Sequence, residues 1–70
     1  MAEQEIIFTV TEAEEGGYEA RALGHSIFTS GDSMAELKEM VQDAVRAHFD
    51  EDERPNIIRL HFVKDEVIPA

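Results

Sequence analysis

Cysteine is absent from this 70-residue chain, which excludes disulfide bonds and any thiolate metal site. Basic residues are few: two Lys and four Arg stand against sixteen Asp and Glu, a formal net charge of −10. Those cations, Lys38, Lys64, Arg21, Arg46, Arg54 and Arg59, are scattered along the sequence. Phosphate backbones are bound by many Lys and Arg contacts that release counterions, so direct nucleic-acid binding is not expected, nor is binding to an anionic membrane surface. Long apolar runs are missing too, with none near the ~18 residues of a transmembrane helix. The acidic start Met1-Ala2-Glu3-Gln4-Glu5 lacks the basic region and apolar stretch of a signal peptide. These absences lead to the expectation of a cytoplasmic protein. Opposite net charge steers encounter, which favours a basic protein partner, although solvation alone also accounts for an acidic surface.

What is present is enough apolar material to fold. Hydrophobic residues make up 43% of the chain, too many for disorder driven by charge. The length is about half of the ~150 residues usual for a domain, so residues 1–70 are read as a single domain. At this size folding buries only roughly 60% of the extended chain's surface, and a core so small barely offsets the entropy of ordering. With no covalent staple, self-association is the expected source of further stability.

Glu5 to Glu12 (EIIFTVTE) places Ile6, Phe8 and Val10 on one face and Ile7, Thr9 and Thr11 on the other, the period of a strand. Ala13-Glu14-Glu15-Gly16-Gly17 supplies a turn, and Tyr18 to Leu23 alternates as the return strand of a hairpin. After Gly24, His25 to Ser30 reads as a short third strand. Ser33-Met34-Ala35-Glu36 fits a capping box. Behind it Met34, Leu37, Val41, Ala44, Val45 and His48 or Phe49 recur at steps of three and four, one apolar stripe of a helix that ends near Phe49. Met34 and Met40 are expected to fill the core. The carboxylates Asp50 to Glu53 oppose the helix dipole, and Arg54-Pro55-Asn56 redirects the chain. Ile57 to Val63 (IIRLHFV) is apolar enough to suggest a central strand. In Lys64 to Ala70, Val67 and Ile68 are too apolar for a solvated tail and are expected to patch the core or reach a neighbouring subunit.

The predicted architecture is α+β, in the order β-β-β-α-β. The first three strands are antiparallel, a crossover sets the fourth parallel to the first, the sheet order is 3-2-1-4, and one helix lies on one face. A single helix cannot cover both faces of four strands, so Ile7 and Ile57 on the far face are expected at an oligomer interface.

Chemistry-bearing groups are sparse. The separations of His25, His48 and His61, 23 and 13 residues, match no local metal pattern, and each is read as an amphipathic side chain at a core boundary or interface. Asp50 to Glu53 lacks the spacing of a calcium loop and reads as a solvated turn. Gly16-Gly17 precedes a strand and no Lys follows it, so it is a turn and not a phosphate loop. Ser26, Ser30 and Ser33 form no arguable triad with a His and an acid; Ser33 is the cap. No catalytic residue, metal or cofactor is expected.

The stretch Ile7 to Phe49 resembles the N-terminal domain of HicB-type antitoxins, particularly short stand-alone HicB-like proteins. The resemblance is carried by the first strand, then Glu14-Glu15-Gly16-Gly17-Tyr18 and Ala20, Gly24-His25, Ser30-Gly31-Asp32-Ser33, and a helix with Glu36-Leu37 and Ala44. It covers roughly two-thirds of the chain, in matching order and spacing. It implies a single HicB-like domain, a reduced ribonuclease-H-like fold without that enzyme's acidic catalytic set, and dimers or larger oligomers. Full antitoxins of this type add a DNA-binding domain and neutralise a small basic RNA-cleaving toxin. Here Arg21-Ala22-Leu23-Gly24-His25 lacks the prolines and the cysteine common at that point, and operator binding is not expected.

The sequence therefore leads to a small acidic HicB-like protein–protein interaction module, antitoxin-like toward a basic toxin and not an enzyme. Glu36, Glu39, Asp43, Asp50 and Glu51 are its candidate partner-binding residues. Ile7, Ile57, Val67 and Ile68 are its candidate self-association residues. Two alternatives stand beside it. One is an enzyme or enzyme accessory whose site forms between subunits from His25, His61 and carboxylates. The other is a nucleic-acid adaptor relying on Arg21, Arg54 and Arg59.

Overall fold

Strict alternation builds the middle of the sheet. In the computed structural model, which describes residues 4–70, β1 spans Glu5–Glu12 and buries Ile6, Phe8 and Val10 on its inner face. The leader-free reading of Met1-Ala2-Glu3 lies outside the described residues. A turn closed by Ala13 N donating to Gly17 O at 3.0 Å leads into β2, Tyr18–Ala22, which buries Ala20 and Ala22. At Gly17, φ is +83° and an added Cβ would lie 2.7 Å from Gly31 O, so neither the backbone nor the space there admits a side chain.

The third strand begins later than the sequence suggests: β3 covers Phe28–Gly31, not His25 to Ser30. Gly24 turns the chain at φ +81°, leaving His25 and Ser26 exposed in a loop. Ile27 is buried from that loop, with its carbonyl accepting from Ala22 N at 3.0 Å. The second strand likewise stops at Ala22, and Leu23 is exposed.

Helix α1 runs Met34–His48, as its capping box predicts. Ser33 Oγ accepts from Glu36 N at 3.1 Å, while Glu36 Oε1 accepts from Asp32 N at 2.8 Å. Phe49 closes the other end, its amide donating to Val45 O. Leu37, Val41 and Val45 are buried, and Met34, Ala44 and Phe49 pack against the core. Met40 departs from the expected role: at 42% exposure it lies off the apolar stripe and fills nothing.

The last strand, β4, spans Ile57–Phe62 and pairs parallel with β1, Ile6 opposite Ile58 and Phe8 opposite Leu60. Sheet order is β3-β2-β1-β4, with the first three antiparallel, as expected. That order makes β4 an edge strand, which corrects the central placement suggested by its apolar density. None of its residues is buried: Ile57, Ile58 and Leu60 are half-buried and the rest exposed. Helix α1 packs chiefly on β3 and β2, so the inner face of β4 is only partly covered.

The helix reaches the sheet closely because of Gly31. A Cβ there would sit 2.6 Å from Leu37 N and 2.8 Å from Leu37 Cα, both rigid backbone. The φ of Gly31 is not positive, so alanine is tolerated by the backbone and refused only by the packing. Gly31→Ala is expected to lower stability by about 1–3 kcal/mol, the usual range for overpacking. Ser33→Ala, which deletes the cap, should cost about 1 kcal/mol. Phe8→Ala should cost about 3–5 kcal/mol, roughly a third or more of what a domain of this length has. Urea unfolding followed by circular dichroism measures the three; a Gly31→Ala chain as stable as the unsubstituted one would contradict the close helix–sheet approach.

Candidate functional site

With α1 on the inner face, residues of opposite parity form an open outer face. Phe28 from β3 and Leu23 after β2 are more than half exposed there, and Ile7 and Ile57 are half-buried on β1 and β4. Ile7 opposes Arg59 while Ile57 opposes Glu5, so the two isoleucines sit diagonally on neighbouring strands. The structure thus brings together two of the four residues proposed for self-association. Both arginines on this face are held. Arg59 is bonded to Glu5, whose carboxylate holds the guanidinium above its usual range by the hydrogen bond first and Coulomb attraction second. Arg21 lies over the Phe28 ring, 5.5 Å from its centroid, a cation–π contact.

The other two self-association candidates stand on the segment after β4. Val67 is 93% exposed and Ile68 77%, so they do not patch the core of their own chain.

A second surface is acidic. Glu36, Glu39 and Asp43 fall within roughly 60° of one another at about 100° per helical residue, and all are exposed. Asp50 and Glu51 follow in the turn that closes with Glu53 N donating to Asp50 O. Two of these acids also have local duties: Glu36 completes the capping box, and Asp43 is paired with Arg46 one turn on.

The histidines are placed in a way the sequence does not announce. His25 and His48 meet at 5.8 Å between ring centroids, and both stack edge-on with Phe49, at 5.1 and 4.8 Å. His61 stands elsewhere, in β4 opposite Thr9. All three histidines are exposed. Among the described residues no three His, Cys, Asp or Glu are grouped to hold a metal. The three arginines of the nucleic-acid alternative are divided. Arg21 and Arg59 are on the outer face, whereas Arg54 lies toward α1 with Gln42, Val45 and Ile58.

One feature escaped the sequence reading altogether. Between α1 and β4 runs a groove of about 230 Å³ lined by Lys38, Val41, Gln42, Ile58 and Leu60, mostly apolar. The only signal for it is width, since a helix ~10 Å across spans about two strands at ~4.8 Å spacing. The groove continues past Gln42 and Ile58 to Arg54, Pro55 and Asn56. Arg54 Nε is buried there with no hydrogen-bond partner among the described residues.

This chain is similar to a UPF0150 protein of Archaeoglobus fulgidus, 62% identical over 52 residues that cover 74% of this chain and 77% of the relative. It is also similar to a UPF0150 protein of Thermotoga maritima, 47% identical over 66 residues, 94% of this chain and 93% of that one. The chain belongs to the UPF0150 family. No family model matches it, and no solved structure does. No helix among the described residues is long and apolar enough to cross a membrane.

Proposed function

We propose that this chain is a cytoplasmic, self-associating HicB-like interaction module that binds a small basic protein, with antitoxin-like neutralisation of a basic RNA-cleaving toxin as the specific form of that activity. One observation carries the self-association: a small α+β layer leaves Leu23, Phe28, Phe62, Val67 and Ile68 all more than half exposed. Singly exposed apolar residues are ordinary, but five large ones on so small a surface are what interaction faces present. The basic partner is supported by the acidic arc Glu36, Glu39 and Asp43 and by Asp50 and Glu51, on a chain of net charge −10. The HicB-like assignment is supported by the Glu14-Glu15-Gly16-Gly17-Tyr18 hairpin and the β-β-β-α-β order that the resemblance implied.

Two measurements test this. In solution the mass should be at least twice the 7.9 kDa of one chain; a mass of one chain removes self-association. The immobilised chain should capture a small basic protein from its own cell extract. That protein should wash off as salt rises from about 0.1 M to about 1 M, where the screening length falls from ~10 to ~3 Å. Replacing Glu39, Asp43 and Glu51 together by Lys should reduce the capture tenfold or more. Recovery of the bait alone at low salt would remove the partner.

A further inference from the structure

The last seven residues, Lys64–Ala70, form an arm rather than a packed element. The molecule measures 50 × 23 × 19 Å and its radius of gyration is 13.7 Å, against about 11 Å for a compact chain of this length. The arm carries the two most exposed large apolar side chains, Val67 and Ile68, directly after two acids, Asp65 and Glu66. The groove between α1 and β4 has the opposite character on every count. Its floor is Val41, Ile58 and Leu60, its rim carries Lys38, and its far end holds Arg54 with a buried Nε–H that has no partner among the described residues. In a chain with only six Lys and Arg, three of them, Lys38, Arg46 and Arg54, border this groove and its continuation.

We propose that the arm of one copy seats in the α1–β4 groove of a second copy, Val67 and Ile68 entering the apolar floor and Asp65 and Glu66 facing Lys38 and Arg54. Arm and groove belong to the same chain, so each of two copies can receive the other's arm, and that reciprocal exchange is the form that closes as a two-fold dimer. The proposal rests on the self-association part of the functional reading and specifies its geometry. Folding the arm into its own groove is geometrically poor. Of Lys64-Asp65-Glu66 only Asp65 is a turn-forming residue, and no Gly, Asn or Pro stands beside it. Even a tight hairpin centred on Lys64-Asp65 would bring Ile68 level with His61, short of Ile58 and Leu60. A second copy carries no such restriction.

The natural absence of cysteine makes the test direct. Full-length chains carrying Ile68→Cys alone and Gln42→Cys alone are mixed and oxidised; Gln42 is exposed and lines the groove. The mixture should yield a cross-linked species of twice the single-chain mass, well above what either variant gives alone. A double variant, Ile68→Cys with Gln42→Cys, that closes instead into a cross-linked monomer would overturn the proposal in favour of closure within one chain. As a second readout, Val67→Asp with Ile68→Asp should weaken self-association at least tenfold while the circular dichroism spectrum stays unchanged, because both residues are exposed in the single chain. If this variant and the unsubstituted chain are equally dimeric, the arm is not the contact and self-association stands on another face. If the unsubstituted chain is itself monomeric, both the proposal and the reading beneath it fail.

Discussion

A 15-residue helix has to cover the inner face of a four-stranded sheet, and its width lets it cover only part. Helix α1 packs chiefly on β3 and β2, drawn close by the absence of a side chain at Gly31. That choice joins Leu37, Val41 and Val45 to Phe8, Val10 and Ala20 in one cluster, and there the core is closed to solvent. Moving the helix toward β4 would cover Ile58 and Leu60 but would open β3, whose only buried residues are Thr29 and Gly31. The fold therefore has one well-packed side and one under-packed side. The groove, the apolar edge and the exposed arm all lie on or beyond the under-packed side.

Several features follow from periodicity alone, because the forces behind them are local. Alternation in Glu5–Glu12 and three-four spacing in Met34–His48 report directly which atoms leave water, and the capping box reports where the helix starts. Sheet order follows from connection lengths. Other features are set by partners distant in sequence and leave no local trace. The apolar density of IIRLHFV is the same whether a strand is covered on two faces or waits for cover, so it misleads about β4. His25 and Ser26 fit a strand pattern, yet the positive φ of Gly24 gives them to a loop. His25 reaches His48 and Phe49 only because that loop ends beside the end of the helix, a meeting that no spacing between residues 25 and 48 encodes.

The candidate site was legible in the same uneven way. Ile7 and Ile57 are adjacent because β1 and β4 are parallel in a register that the face assignments already implied. The acids Glu36, Glu39 and Asp43 share an arc because the helix is where the stripe put it. What the sequence withheld is that Glu36 and Asp43 are partly spent on the cap and on Arg46. Also withheld was the distribution of the few cations. Arg21 and Arg59 are held on the outer face, Lys38 and Arg54 border the groove, and Arg46, paired with Asp43, borders its continuation.

That distribution bears on how a chain of charge −10 can associate with a copy of itself. Like net charges repel, so self-association has to be driven by apolar area and guided by local pairs of opposite sign, not by the overall field. On the proposed reading, an acidic arm entering a groove with cations at its rim meets that requirement, because the repulsive remainder on the helix surface stays in water. It also separates the two kinds of partner. The apolar side would be used by the second copy, and the acidic arc would remain open to a basic protein. A dimer carries twice the charge of one chain with the acidic faces still solvated, so self-association would strengthen the field that draws in the second partner. The under-packing that leaves this fold incomplete would thereby also concentrate the charge that selects what it binds.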